Sequence, residues 1–217
     1  MAPSTLVRYS GAALALGGIC LALFMIVHPY GEIAGAHAAH SARWVPAHSL
    51  HFAGALLTLL GLPGLYARQM RETGRLGLAG AVLAMAGMAM FVGTGMITAF
   101  IWPVIAQTTP GFVAADGPMF ADPLPTFATD APYVAMVAGF VLLAIASIRA
   151  RTLPVETAIV LAVGVVLFSS PVQPVGPLPF IFRLVGAIAF GGALAWTGYL
   201  LWERPLPAGA HVPSPAR

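Results

Sequence analysis

An all-α bundle of membrane-spanning helices is the fold class this sequence predicts, and three observations predict it. Of 217 residues, 59% are hydrophobic and 8% are charged, with a mean hydropathy of +0.89. Soluble domains carry about 25% charged residues, so lipid must solvate most of this exterior. The apolar residues also fall in long runs, and a helix crossing about 30 Å of hydrocarbon needs about 20 of them. Apart from Glu156 and Arg183, the few charges lie outside those runs.

Six runs qualify, at about residues 10–28, 46–66, 76–102, 131–148, 154–170 and 178–202. The fifth is the shortest, because Pro171, Pro174 and Pro177 close it. Arg8 before the first run fits the opening of a signal peptide, but the run is long for that role and reads as a retained helix. Residues 103–130 read as an outer, Pro-rich loop with three acids and no base, most simply a loosely ordered cap. Residues 205–217 read as a disordered cytoplasmic tail.

The arginines set the orientation. Arg8, Arg68, Arg71, Arg75, Arg149, Arg151, Arg204 and Arg217 fall on one side of this topology, and Arg43 and Arg183 on the other. The positive-inside rule then places both termini in the cytoplasm. Arginine without a single lysine, beside abundant Ala, Gly and Pro, suggests a GC-rich bacterial genome and hence a bacterial inner membrane. The sequence pI of about 9.5 does not point to nucleic acid, since no basic cluster interleaves with aromatics. Cys20 is the single cysteine and lies inside the first run, which leaves it a small apolar residue facing lipid or a neighbouring helix.

Two trios of helices in opposite orientation would make a 3+3 inverted repeat, the plan of many small transporters. Pro46 and Pro154 open the second and fifth runs, and Arg75-Leu76 echoes Arg183-Leu184. Small residues form rows on the third run (Gly77, Gly80, Ala84, Gly87) and on the sixth (Gly186, Gly191, Ala195, Gly198). In lipid such rows let backbones approach closely, so these helices are expected to be central, or to seat a second copy or a membrane-complex partner. Met85, Met88, Met90 and Met96 read as gap-filling core rather than a copper ladder.

Chemistry concentrates in the histidines. His28, His37, His40, His48 and His51 all fall near the outer face, and His37/His40 and His48/His51 repeat the i, i+3 spacing that shares one helix face. His28 ends the first run and His48 and His51 open the second, so they are expected to converge, with Glu32 close by. Imidazoles from facing helices would hold haem b or a copper, zinc or iron ion, with His28, His48 and His51 as principal ligands and Glu32, His37 and His40 as further ones. The bland alternative is a set of interfacial histidines in contact with water. No His-Glu-x-x-His motif is present. Arg183 lies a few residues inside the sixth run; snorkelling to the outer interface is the simpler expectation, and pairing with Glu32 or Asp130, or gripping an anion, the sharper one. Glu156 opens the fifth run, where it suits the positive end of the helix dipole.

Three functions follow as expectations. One is a metal- or haem-binding redox protein centred on the histidines. A second is a small transporter or channel, with Arg183, Asp116, Asp122 and Asp130 near the pathway. A third is an accessory subunit without chemistry of its own. No phosphate-binding loop or nucleophile turn is present, and no soluble domain is long enough for a catalytic core.

Overall fold

The computed structural model describes residues 3–29, 36–114, 116–170 and 177–203. Glu32 and the tail at 205–217 lie outside the described residues, as does the side chain of His37. The described chain is helical throughout, with no strand among its elements: α1 (Pro3–Val27), α2 (Ala36–Ala39), α3 (Trp44–Met96), α4 (Trp102–Thr108), α5 (Pro118–Ala121), α6 (Pro123–Ala150), α7 (Val155–Phe168) and α8 (Pro177–Glu203).

The expected second and third runs are two antiparallel arms that follow each other directly. The span α3 is two helical arms that meet at Gly74, where φ is 57° and ψ is −147° and the chain reverses. That backbone state is closed to residues with a Cβ, so a single glycine replaces the loop expected at 67–75. The fold-back is proven by contact between the arms: Phe52 meets Gly95, and the Trp44 indole donates from Nε1 to the Thr98 carbonyl at 2.8 Å. We call residues 44–73 the first arm and 75–96 the second.

Six rods then form a ring in chain order. Helix α1 packs on the first arm, the two arms pack together, the second arm packs on α6, α6 on α7, α7 on α8, and α8 closes on α1. Short connections suffice to give consecutive neighbours, so the ring order requires no internal repeat. The small-residue rows do not bring the third and sixth runs together. Gly80 and Gly87 seat α6 on the second arm, whereas Gly191 and Gly198 seat α8 on α1 and Gly186 seats it on α7. At Gly18 and Gly191 each backbone fills the place where the other's Cβ would stand.

Inside the ring, Phe24, Phe91, Phe140, Phe168 and Phe190 interlock through edge and stacked contacts. Outside it, Leu16, Val82, Val163, Ile188 and Trp196 are exposed. An exterior of this kind is suited to lipid. Four segments, Thr5–Val27, Trp44–Thr108, Pro123–Ala150 and Leu178–Glu203, are long and apolar enough to cross a membrane, and one of them doubles back at Gly74. Helix α7 has 14 residues and extends about 21 Å. Glu156 sits in its first turn, as the dipole argument expects.

The outer segment departs from the expected loop. A wide π turn at Ile97–Ile101 leads into α4, and a 3₁₀ turn at Pro110–Phe112, α5 and the first turns of α6 follow. Proline at the start of α4, α5 and α6 accounts for this, since its fixed φ suits a first helical turn. Trp44, Trp102, Ala106 and Val113 pack with Ala38 and Ala39 into a second, small apolar cluster. The cap is therefore held to the end of the bundle by buried tryptophans.

Candidate polar site at the arginine-poor end

One end of the ring carries Arg8, the Arg68–Arg75 reversal, Arg149 and Arg151. The opposite end gathers the polar side chains of interest. Helix α1 ends at His28, the first arm of α3 begins with Trp44, His48 and His51, and α6 contributes Tyr133. Helix α7 ends at Phe168 with Ser169 and Ser170 beyond it, and α8 brings Arg183.

The expected convergence of His28, His48 and His51 is observed. Ring centroids are 5.1 Å apart for His28 and His48 and 6.2 Å apart for His48 and His51. All three are 4–5% exposed, so they are core groups and not interfacial ones in contact with water. Phe24 binds them together: its ring lies 5.5 Å from His28, 5.4 Å from His48 and 4.9 Å from His51, stacked on the last. Trp44 covers His48 at 4.1 Å, and Phe91 lies 3.9 Å from His51.

The ring nitrogens differ in their partners. Nδ1 of His28 meets the Pro29 carbonyl at 3.1 Å, and Nδ1 of His48 meets the Trp44 carbonyl at 3.0 Å. A carbonyl only accepts, so each Nδ1 carries the hydrogen and each neutral ring keeps its lone pair on Nε2. Among the described residues neither buried nitrogen of His51 makes a hydrogen bond of good geometry, although the Phe91 backbone lies beside the ring.

Metal ligation is not what this arrangement shows. Among the described residues no three His, Cys, Asp or Glu side chains come within reach of one metal ion. His40 is exposed in the turn after α2 and does not join the site. Among the described residues, aromatic rings and not carboxylates surround the imidazoles. A haem held between His28 and His48 would need an open slab between the two rings, but the rings are 5.1 Å apart at 62° with Phe24 against both.

Arg183 corrects the snorkelling expectation. It is 3% exposed and turned inward. Nη1 donates to the Ser170 carbonyl at 2.8 Å and Nη2 to the Tyr133 hydroxyl at 2.9 Å. The guanidinium carbon lies 5.1 Å from the Tyr133 ring centroid and 5.9 Å from that of Phe168. Among the described residues its buried Nε has no partner, and neither has the buried Ser169 hydroxyl. Asp116, Asp122 and Asp130 are exposed, and none of them reaches Arg183 among the described residues. Asp122 instead caps α6, accepting from the Leu124 amide at 2.9 Å.

Arginine and histidines share walls. Phe168 contacts Phe24 at 6.4 Å and Phe91 at 5.8 Å, and Tyr133 contacts Phe91 at 5.3 Å. The result is a buried, aromatic-walled polar site with a full positive charge and several unpaired donors. Sequence reading missed Tyr133, Ser169 and Ser170, because a tyrosine 50 residues from its arginine partner carries no local signal.

The methionines fit a packing role. Met88 is buried, Met85 half-buried, and Met90 and Met96 exposed, so they form no single ligand row. Cys20 is a half-buried free thiol against Gly54 of the first arm. No family model, curated protein or solved structure matches this chain.

Proposed function

We propose that this chain is a bacterial inner-membrane protein that crosses the bilayer six times with both termini in the cytoplasm. In this reading it binds and passes a small polar solute through the Arg183–His51 site near the outer face, as a small transporter or channel. The observation that carries it is Arg183 itself. It is 3% exposed yet leaves Nε without a partner among the described residues, and it is joined through Phe168 and Phe91 to His51, whose two ring nitrogens also lack one. Ionisable groups held inside a membrane protein are costly and mark solute or ion pathways. The clustering of described arginines at the opposite end supports the orientation.

The redox-metal reading is less well supported. A divalent cation beside an arginine that no described carboxylate neutralises would be repelled by it, and the imidazoles are packed against phenyl and indole rings. The accessory-subunit reading loses its main support as well, because Gly80, Gly87, Gly186, Gly191 and Gly198 are used within the chain.

The test is solute uptake by liposomes reconstituted with the full chain, followed by light scattering after an osmotic step. Urea, glycerol, and potassium formate, acetate, nitrate and chloride, the four salts with valinomycin so that potassium enters with the anion, are compared with protein-free liposomes. Faster entry of at least one solute, lost in Arg183→Gln, supports the reading. Entry of all six at the protein-free rate overturns it.

A further inference from the structure

We infer that the solute is a small carboxylate monoanion of the formate or acetate class, held by the open edge of the Arg183 guanidinium. The inference rests on the transport-site reading and narrows it to one chemistry. A guanidinium does not lose its proton, so Arg183 is a fixed positive charge. Taking such a charge out of water costs several kcal/mol unless it is paired. No described carboxylate pairs with it, and its two hydrogen bonds go to neutral oxygens.

The groups around it are complementary to an anion. Arg183 has five N–H hydrogens, and its two hydrogen bonds leave the Nε edge open. The Tyr133 hydroxyl accepts from Nη2 and so keeps its own hydrogen to give. The Ser169 hydroxyl and one His51 nitrogen are further donors without acceptors. A planar carboxylate matches a guanidinium edge through two parallel hydrogen bonds. One fixed positive charge favours one negative charge, and the walls of Phe24, Phe91 and Phe168 favour a small ion with little polar surface beyond its head group. Arg183 is buried within the ring, so the anion comes from solution and not from a lipid head group at the rim.

The experiment is thermal unfolding of the full chain in neutral detergent, with sodium formate or sodium acetate titrated against sodium gluconate at constant ionic strength. A ligand that binds only the folded state raises the unfolding temperature in a saturable way. Saturable stabilisation by formate or acetate but not gluconate is expected. Arg183→Lys, which keeps the charge without the planar edge, should weaken the apparent Kd about tenfold or more, and Arg183→Gln should abolish the effect. If Arg183→Gln fails to fold, Arg183→Lys and Ser169→Ala carry the test, each expected to weaken binding.

Four results would overturn the inference. One is no saturable shift in the wild-type chain. A second is a shift retained in folded Arg183→Gln, or unchanged in both Arg183→Lys and Ser169→Ala. A third is stabilisation by phosphatidylglycerol in place of formate, which would make the anion a lipid. The fourth is binding that appears only in Glu32→Gln, which would make the arginine's counter-ion internal. Failure of the two readings is distinguishable. Anion binding without flux removes transport and keeps the site, whereas flux of urea or glycerol alone keeps transport and removes the anion.

Discussion

Arg183 and Tyr133 are joined twice: Nη2 donates to the phenol oxygen at 2.9 Å, and the guanidinium carbon lies 5.1 Å from the ring centroid. The pair ties α8 to α6 although these helices are not neighbours in the ring. Tyr133→Phe keeps the ring and removes the acceptor. A buried donor left without its partner costs about 1–3 kcal/mol. The variant should therefore unfold at a lower temperature in detergent, by about that free energy. An unchanged unfolding temperature would mean that water replaces the phenol oxygen.

The α1–α8 contact allows a matched pair of substitutions. A methyl at Gly18 would meet the Gly191 carbonyl and the Ala195 amide, both backbone, so the helices must separate. Gly18→Ala should cost about 1–3 kcal/mol through overpacking. Gly192, one position along α8, faces open space. Gly192→Ala should be neutral or stabilising by up to about 1 kcal/mol, the helix propensity of alanine over glycine. Equal effects of the two variants in denaturant-titrated micelles would contradict this assignment of faces.

Gly74 makes a sharper case. Its φ of 57° and ψ of −147° form the whole reversal between the arms of α3, and nothing lies within 4 Å of the site a Cβ would take. A penalty from Gly74→Ala can thus come only from backbone strain. About 1–3 kcal/mol is expected, read as a lower unfolding temperature, and Gly74→Asn should not recover it, because asparagine favours the left-handed helical region and not a ψ of −147°. A neutral Gly74→Ala would show that the connection has other conformations of similar energy.

How much of this was legible in the sequence depends on the range of the interactions. Lipid-facing apolarity is a property of each residue, so the bundle and its long helices could be read directly. The convergence of His28 with His48 and His51 was legible because a short connection forces their helices together. The reversal between residues 66 and 76 was legible too, but not that one glycine makes it, because a glycine flanked by Thr73 and Arg75 looks like part of an ordinary loop. The inward turn of Arg183 was hidden for another reason. Its partners are a tyrosine 50 positions away and a carbonyl 13 positions away, and snorkelling looks the same in sequence until those partners are known. The outer cap appeared loose from its prolines, while its order comes from Trp44 and Trp102, which stack at 6.2 Å across the fold-back.

The packing of the imidazoles predicts the outcome of a metal analysis. Phe24 touches all three rings, and no described carboxylate offsets Arg183. Purified protein expressed with ample haem and metals should show no Soret band and well under one copper, zinc or iron per chain. His48→Ala should not change that content. A stoichiometric metal that His48→Ala removes would mean that Phe24 swings away, and would restore the redox reading.

His51 separates stability from function within one side chain. Its ring is fully enclosed by Phe24 and Phe91, and neither nitrogen makes a hydrogen bond. Leaving a buried polar group unpaired costs about 1–3 kcal/mol, whereas an apolar group of similar size avoids that cost. His51→Leu should therefore raise the unfolding temperature in the absence of solute, by about 1 kcal/mol in stability. The same variant should lose part of the formate- or acetate-dependent stabilisation, because one donor to the anion is gone. Lower stability instead would mean that the ring is held by the Phe91 backbone beside it, and the histidine would then be a structural group. Higher stability with unchanged anion binding would place the solute against Arg183 and Ser169 alone.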